Sequence, residues 1–303
     1  MLTIVSRAKV DPAAWDQFVL DHPDGYFWHG SRWIAYSLAY CPTAVDLSFA
    51  VCDGDSLMAV VPLCLEPGGL LLGGVPTPAP LCSPSGQAAA WVWIGREQLR
   101  LSQASPCRAA FRSQPGHPFG WMPPTWASAD WDSFVVDLTR PEPARWCDVR
   151  RSYHSLIHRA QEQHLIDVPS IGIHDARDLH RQAAGRETRS AETWEMMADW
   201  EAAGDAFTVL ARNSDGDPVG YAYVIAWKRW GYYASGATLK PNLAHALQWA
   251  AMQEAAVRGV TSYEVGWDVR PGDDEKARAI AHFKAGFGGD RLRITAIQTG
   301  GGA

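Results

Sequence analysis

One order of elements occurs twice along the chain, and this repetition constrains the fold more than any other feature of the sequence. Each half begins with two predicted helices and continues with two strands joined by an Asp-Gly-Asp turn. In the first half these elements are the helices Ala13–Leu20 and Arg32–Ala39 and the strands Leu47–Cys52 and Leu57–Leu65. In the second half they are the helix His174–Ala184, a helix capped by Ser190, and the strands Phe207–Arg212 and Val219–Trp227. Two similarly built domains are therefore expected.

The second half continues with an alternation of strands and helices. The predicted elements are the strand Gly231–Ala237, the helix Pro241–Arg258, the strand Val260–Gly266, the helix Asp274–Ala285 and the strand Arg291–Ile297. A helix between the third and fourth strands permits a parallel pair within an otherwise antiparallel sheet. The predicted fold class is therefore α/β with a mixed sheet. The predicted organisation is an N-terminal domain at 1–142, a long linking helix at 143–164 and a C-terminal domain at 165–303.

Composition excludes several classes of protein. The 303 residues are 47% hydrophobic and 20% charged, which is typical of a globular chain. The net charge of −6 argues against a protein that neutralises many phosphates of duplex DNA. The longest apolar run, Leu57–Leu65, has nine residues, whereas a membrane span needs about 20. The six cysteines show no zinc-ligand spacing, so free thiols, no metal site and a cytoplasmic location are expected.

Several stretches of the second half resemble the GNAT acyltransferase fold, and the duplication resembles the FemABX group within it. The third strand, Tyr232-Tyr233-Ala-Ser235-Gly236, and the strand Gly259–Gly266 are similar to the corresponding strands of that fold. The stretch Phe283-Lys284-Ala-Gly286-Phe287-Gly-Gly resembles the ending of FemAB-like proteins. The stretch Gly185-Arg186-Glu-Thr188-Arg189-Ser190 resembles a subgroup associated with surface-glycan biosynthesis.

One departure from the GNAT pattern leaves the acyl donor open. Most GNAT enzymes that use CoA carry a glycine-rich loop whose backbone N–H groups hold the pyrophosphate at a helix start. The matching segment here, 239–244, reads Leu-Lys-Pro-Asn-Leu-Ala and has no glycine. The FemABX enzymes of peptidoglycan synthesis also lack that loop and use aminoacyl-tRNA. The resemblance therefore implies either acyl-CoA, which is favoured narrowly, or aminoacyl-tRNA as co-substrate, with no bound cofactor.

Acyl transfer to an amine needs a proton acceptor for the amine, donors for the carbonyl oxygen and a proton for the leaving group. The resemblance implies that Lys284 is catalytic or binds phosphate; the alternative is an exposed lysine at a helix end. Glu264 and Asp268 follow the central strand, where open α/β sheets often place ligands, so either is a candidate base. Structural ion pairing is the alternative for both.

Two further side chains are candidates for moving protons. His245, near the start of its helix, is either a proton shuttle or an interior histidine. Tyr232 and Tyr233 alternate across a strand, so one is expected to face the cleft and the other the core. Tyr233 is taken as the proton donor to the leaving group, and Tyr232 as part of the substrate site together with Trp267.

An anion site is predicted just before the helix capped by Ser190. Arg186 and Arg189 bracket Thr188, and two guanidinium groups beside a helix N-terminus suit a phosphate or carboxylate. Arg151 and Ser152 of the linking helix are expected to complete this site. A solvated cluster paired with neighbouring glutamates is the alternative.

The sequence thus predicts an acyltransferase that forms an amide on an amino group of a sugar or nucleotide-linked sugar. An aminoacyltransferase that uses tRNA, or a binding module that has kept the fold without catalysis, is the alternative. The expected partners are a small amine and, for the tRNA alternative, tRNA, with no duplex DNA and no membrane span.

Overall fold

The structure is a computed structural model that describes residues 1–66, 69–71, 80–102, 107–112, 126–270 and 272–299. The chain divides into two compact units. The first holds the described residues up to Trp131 and from Arg293 onward, and the second runs from Asp132 to Leu292. Within the described ranges, no helix combines the length and apolar character needed to cross a membrane.

The first unit is built from short strands and helices. Its elements are β1 (Leu2–Ser6), α1 (Pro12–Asp21), α2 (Ser31–Tyr40), β2 (Val45–Asp46), β3 (Phe49–Asp53), β4 (Ser56–Val61), β5 (Cys64–Glu66), β6 (Gly69–Leu71), β7 (Leu81–Cys82), α3 (Gln87–Ser102) and β8 (Cys107–Arg112), with short 3₁₀ helices at Arg7–Lys9 and Phe27–His29. The strands form the antiparallel sheets β1-β3-β4-β7 and β2-β5-β6. The hairpin predicted around Gly54 is confirmed as β3–β4.

The second unit is built around a mixed sheet. Its elements are β9 (Trp126–Asp137), which leads into the unit, α4 (Glu142–Asp148), α5 (Arg151–Gln163), β10 (Leu165–Asp167), α6 (Ile173–Ala184), α7 (Ala191–Ala202), β11 (Ala206–Arg212), β12 (Pro218–Trp227), β13 (Trp230–Thr238), α8 (Leu243–Val257), β14 (Ser262–Trp267), α9 (Glu275–Ala285) and β15 (Asp290–Thr299), which leads out of it. The strand order is β10-β11-β12-β13-β14-β9. The neighbours β13 and β14 run parallel, as predicted, and the other pairs are antiparallel.

Helices cover both faces of this sheet, and alternation along β12 shows which helices share a face. A Cβ atom on Gly220 would meet side chains of Leu243 and Leu247 in α8. The neighbouring Tyr221 instead bonds to His180 of α6. We call these two sides the α8 face and the α6 face. The core on the α8 face also includes Tyr153 and Ile157 of α5, whereas α7 packs on the α6 face, where the Tyr223 hydroxyl donates to the Met197 carbonyl oxygen.

The predicted long helix at 143–164 is wrong, because the segment forms two helices, α4 and α5, inside the second unit. The break occurs at Val149 and Arg150, which both have non-helical backbone conformations. The Arg150 N–H donates instead to the carbonyl oxygen of Gly286, at 2.7 Å. A tertiary hydrogen bond thus replaces a helical one at this point. The prediction that the two halves of the chain are similarly built domains stays a prediction.

Candidate active site

The sheet of the second unit opens at its one parallel pair among the described strands. Pairing between β13 and β14 covers Trp230–Tyr232 and Ser262–Glu264. Beyond that point both strands are irregular: β13 shifts register against β12 between Tyr233 and Ser235, and β14 shifts against β9 between Glu264 and Gly266. Both irregularities therefore lie where the two parallel strands part.

Lys284, in the last turn of α9, reaches this point. A Cβ atom on Gly266 would lie 2.5 Å from Lys284 Nζ and 3.1 Å from its Cε, so the ammonium group occupies the space that a side chain would fill. The φ of Gly266 is +117°, a conformation that favours glycine. Burial, and secondarily the charge of Arg270, lower the pKa of Lys284 from 10.5 to about 8. The alternative of an exposed lysine at a helix end is therefore wrong, and the catalytic role stays a prediction.

Glu264 is the buried carboxylate beside this opening. It is 0% exposed, and its Oε1 accepts a hydrogen bond of 2.5 Å from the Ser133 hydroxyl of β9. Its neighbour Tyr263 bonds to Gln248 of α8 and thus faces the α8 side, so Glu264 faces the α6 side. Tyr232 lies opposite Glu264 in the parallel register.

Asp268 and Trp267 both contact arginines at the end of β14. Asp268 Oδ2 lies 2.9 Å from Arg291 Nη1, and its Oδ1 accepts from the Val269 N–H. The guanidinium group of Arg270 lies 4.4 Å from the centre of the Trp267 ring. Asp268 thus takes part in a structural ion pair. Arg270 contacts the Trp267 ring, and its positive charge also acts on Lys284.

His245 belongs to an aromatic cluster on the α8 face. Its ring lies 4.2 Å from that of Tyr153 and 5.1 Å from that of Phe283, and its Nδ1 is 3.0 Å from the Asn242 carbonyl oxygen. Burial, together with the charge of Arg150, lowers the pKa of His245. Gly286 of the FemAB-like ending packs in the same cluster, since a Cβ atom there would lie 2.1 Å from the Tyr153 ring. In the segment Phe283–Gly286, the glycine therefore packs against Tyr153, and Lys284 reaches Gly266.

Tyr233 lies on the α8 face, where its hydroxyl approaches Gly236 so closely that a Cβ there would lie 2.1 Å away. Burial raises the pKa of Tyr233. Of the two tyrosines, Tyr233 thus faces the core and Tyr232 faces the α6 side. This placement disfavours Tyr233 as a proton donor.

The predicted anion-site residues lie on two faces of the sheet. On the α6 face, Arg189 donates to Ser235 Oγ at 3.3 Å, and its guanidinium group lies 4.6 Å from the centre of the Trp194 ring. Arg186 is exposed in the same loop. Arg151 and Ser152 are exposed in the first turn of α5, on the α8 face. The structure therefore keeps the two arginines of the loop together and separates the α5 residues from them.

The start of α8 supplies the conformation that the missing glycine would supply. Asn242 is the residue before α8, and its φ of 65° and ψ of −3° are left-handed. Asparagine adopts this conformation more readily than most residues other than glycine. The absence of a glycine-rich loop from the sequence is therefore a weaker argument against CoA than the sequence alone indicates.

Sequence reasoning did not identify Ser133, Arg270 or Tyr221 as site residues. Ser133 lies 131 positions from its partner Glu264, and Tyr221 lies 41 positions from His180. No local spacing signals such pairs. Arg270 was detectable in principle, because it follows the end of β14 by three residues. Among the described residues there is no group of histidine, cysteine and acidic side chains that would hold a metal.

Comparison with known proteins agrees with this geometry. Residues 152–284 match the model of the acetyltransferase (GNAT) domain family. No curated protein matches the chain in sequence. The match begins in α5 and ends at Lys284, so it contains β13, β14 and the opening between them.

Solved structures with a similar fold cover nearly the whole chain. A crystal structure of FemX is 13% identical with a TM-score of 0.62 and covers 97% of this chain and 96% of its own. L-PGS from Bacillus licheniformis is 11% identical with a TM-score of 0.64, covering 97% and 93%. A tandem GNAT protein from the clavulanic acid biosynthesis pathway is 14% identical with a TM-score of 0.54, covering 100% of both. The chain therefore has a fold similar to that of FemX, and its residues 152–284 match the acetyltransferase (GNAT) domain family.

Proposed function

We propose that the protein transfers an acyl group from acyl-CoA to the amino group of an amino sugar or nucleotide-linked sugar. The observation that carries this proposal is the placement of Lys284 Nζ at Gly266, where β13 and β14 stop pairing. A thioester carbonyl between the parted strands would have backbone N–H groups and an ammonium group within reach. These are the donors that developing negative charge requires.

Lys284 and Glu264 have complementary roles in this proposal. With a pKa of about 8, Lys284 is an acid strong enough to protonate a leaving thiolate near neutral pH. Glu264, anchored by Ser133, is the base that takes a proton from the attacking amine. Glu264 lies on the α6 side of β14, and Lys284 reaches the strand two residues further on, at Gly266, on the other side of the register shift.

Two features of the second unit favour CoA as the donor. The matching family model is that of an acetyltransferase domain, a family whose co-substrate is acyl-CoA. Asn242 gives the start of α8 the left-handed residue that precedes a pyrophosphate-binding helix N-terminus. The helix has 15 residues, long enough for its dipole to favour the diphosphate.

The acceptor would lie on the α6 face near Arg189. The indole N–H of Trp194 and the hydroxyl of Thr188 are buried there and have no hydrogen-bond partner within the described residues. Buried polar groups normally have partners, so acceptor oxygens of a bound molecule would satisfy both. Donors beside a guanidinium group suit a phosphate or carboxylate, as a nucleotide-linked sugar or sugar phosphate carries.

The first experiment is a thermal-shift screen of the protein against CoA, acetyl-CoA, UDP-linked amino sugars and tRNA. A ligand at 100 times its Kd adds about 2.7 kcal/mol to the apparent free energy of unfolding. Thiol release from acetyl-CoA with glucosamine as the first acceptor then measures transfer. Stabilisation by CoA and acceptor-dependent thiol release support the proposal.

If tRNA alone stabilises the protein, and its binding weakens steeply as the salt concentration rises, aminoacyl transfer would replace acyl transfer from CoA as the proposed function. When the contribution of Lys284 to thiol release is tested with Lys284→Met, the matched control is Lys276→Met, because Lys276 is an exposed lysine of the same helix. No ligand response and no thiol release with any pair would refute the proposal.

A further inference from the structure

A chain of hydrogen bonds on the α6 face links four side chains from four segments of the second unit. His180 Nδ1 lies 2.7 Å from the Tyr221 hydroxyl, which lies 2.7 Å from Ser235 Oγ. Arg189 Nη2 donates to the same Ser235 oxygen at 3.3 Å. All three distances are within hydrogen-bonding range, and the first two have the usual length for hydroxyl donors, so the four side chains form one continuous network.

This network leads from the interior of the sheet towards solvent. Ser235 is 9% exposed and Tyr221 is 1% exposed, whereas His180 on α6 is half-buried. Ser235 belongs to the part of β13 beyond the last pair with β14, at Tyr232 and Glu264. One end of the network therefore lies at the opening of the sheet and the other near the surface.

The chemistry of the four groups gives the chain a direction. Arginine can only donate, so Ser235 accepts from Arg189 and its own proton is available for Tyr221. Either hydroxyl of the Tyr221–Ser235 pair can donate to the other. In the order in which Ser235 donates, the Tyr221 proton goes to His180 Nδ1, which is then the acceptor. The order predicts neutral His180 with its proton on Nε2.

The charges around His180 favour that neutral state. Burial lowers the pKa of His180, the nearby Arg189 lowers it further, and Glu187 acts in the opposite direction. On the sheet side His180 faces the Tyr221 hydroxyl, and on the α7 side it faces the Trp194 ring at 5.6 Å. Neutral imidazole with a free acceptor nitrogen is the form that can receive a proton.

Amide formation requires an exit for protons. An ammonium acceptor loses two protons when its nitrogen forms the amide bond, and the leaving thiolate takes up only one of them. The other must leave a buried site. Glu264 is itself fully buried, so it can hold only the one proton that balances the proton given to the thiolate, and the other needs a separate route.

We propose that Ser235, Tyr221 and His180 form a proton exit path, in which His180 is the terminal acceptor and acts on the reaction only through the other two. The ammonium nitrogen of the acceptor gives its first proton to Ser235 Oγ, while the Ser235 proton moves to the Tyr221 oxygen and the Tyr221 proton moves to His180 Nδ1. The second proton goes to Glu264 when the amine attacks, and it balances the proton that Lys284 gives to the thiolate. The imidazolium ion then releases its Nε2 proton to water. This inference rests on the proposed acyl transfer, but its geometry is testable without any substrate.

The first test is the tautomer of His180 in the ligand-free protein. Protein labelled with ¹⁵N-histidine, with His180→Asn to assign the signal, should show His180 protonated on Nε2 at pH 7.5. Tyr221→Phe should alter the His180 ¹⁵N shifts, and Tyr223→Phe should not. Tyr223 is the matched control because it lies on the same strand and face but donates to the Met197 carbonyl oxygen. A His180 proton on Nδ1 would overturn the proposal whatever the enzyme's substrates are.

The second test is kinetic and uses thiol release from acetyl-CoA with glucosamine or the acceptor found in the screen. Tyr221→Phe should lower kcat by about 10²-fold, the low end for proton transfer by a positioned group, while Tyr223→Phe stays within threefold. His180→Ala should lose rate in the same way and regain it with added imidazole. In mixtures of light and heavy water, kcat of the wild type should depend on the deuterium fraction along a curve. For Tyr221→Phe the same dependence should be linear.

The outcomes separate this proposal from the proposed function. Transfer that is unaffected by Tyr221→Phe overturns the exit path and leaves acyl transfer standing. Absence of transfer in the wild type refutes the proposed function. The tautomer of His180 then decides whether the hydrogen bonds run from Ser235 through Tyr221 to His180.

Discussion

Replacement of Lys284 by methionine tests whether this lysine is retained for chemistry, because stability and turnover should change in opposite directions. Methionine has nearly the same length and removes only the charge. In the wild type, burial against Gly266 lowers the pKa of Lys284 from 10.5 to about 8. Each tenfold change in an acidity constant corresponds to about 1.4 kcal/mol, so the charged form loses at most about 3 kcal/mol on folding. Partial exposure reduces this penalty, and we expect Lys284→Met to stabilise the protein by about 1–3 kcal/mol at pH 7.

The pH dependence of stability tests the same buried charge. A lysine with a lowered pKa binds fewer protons in the folded than in the unfolded protein between pH 8 and 10.5. Wild-type stability should therefore rise with pH across that window relative to Lys284→Met, and the difference should disappear above it. Urea unfolding at pH 7, 9 and 10.5 measures this, with Lys276→Met as the exposed control.

Turnover of the same variant should fall. Loss of one donor to developing charge commonly lowers kcat by about 10²–10³, with little effect on KM. A variant that is less stable than the wild type would refute the buried charge, and turnover within threefold would remove Lys284 from the chemistry.

Three further substitutions test other parts of the second unit. Glu264→Gln should lower kcat by at least about 10²-fold, and Asp268→Asn should lower it less, because Asp268 is paired with Arg291. If kcat falls more in Asp268→Asn, Asp268 is the base. Glu201→Ala should lower the free energy of unfolding in urea by about 2–5 kcal/mol, because the buried Glu201 carboxylate accepts from the N–H groups of Gly172 and Ile173 at the start of α6, at 2.9 and 3.0 Å. Glu195→Ala, at an exposed position, is the control, and an equal loss of stability in both variants would contradict this role of Glu201. Gly286→Ala should cost about 1–3 kcal/mol through its clash with the Tyr153 ring, and an unchanged urea midpoint would show that the ring is not in contact.

The sequence by itself determined the local elements of the second unit. The cap Ser190 accepts from the Thr193 N–H at the start of α7, and Asp274 accepts from Ala277 at the start of α9, as their positions before apolar runs predict. The parallel pair followed from the helix predicted between two strands. These features depend on residues a few positions apart, so their spacing is visible in the chain. The FemAB-like ending likewise identified Lys284 by its resemblance.

Only the tertiary structure decided how these elements meet. The predicted helix is interrupted at Val149 and Arg150, where the Arg150 N–H donates to the Gly286 carbonyl oxygen. Arg151 is separated from Arg189 because α5 and α7 cover opposite faces. The tertiary structure also placed Lys284 in the space left by Gly266, 18 positions away, and thereby set its pKa. Burial and charge around a group depend on neighbours that are distant in the chain, and such neighbours leave no pattern in the local sequence.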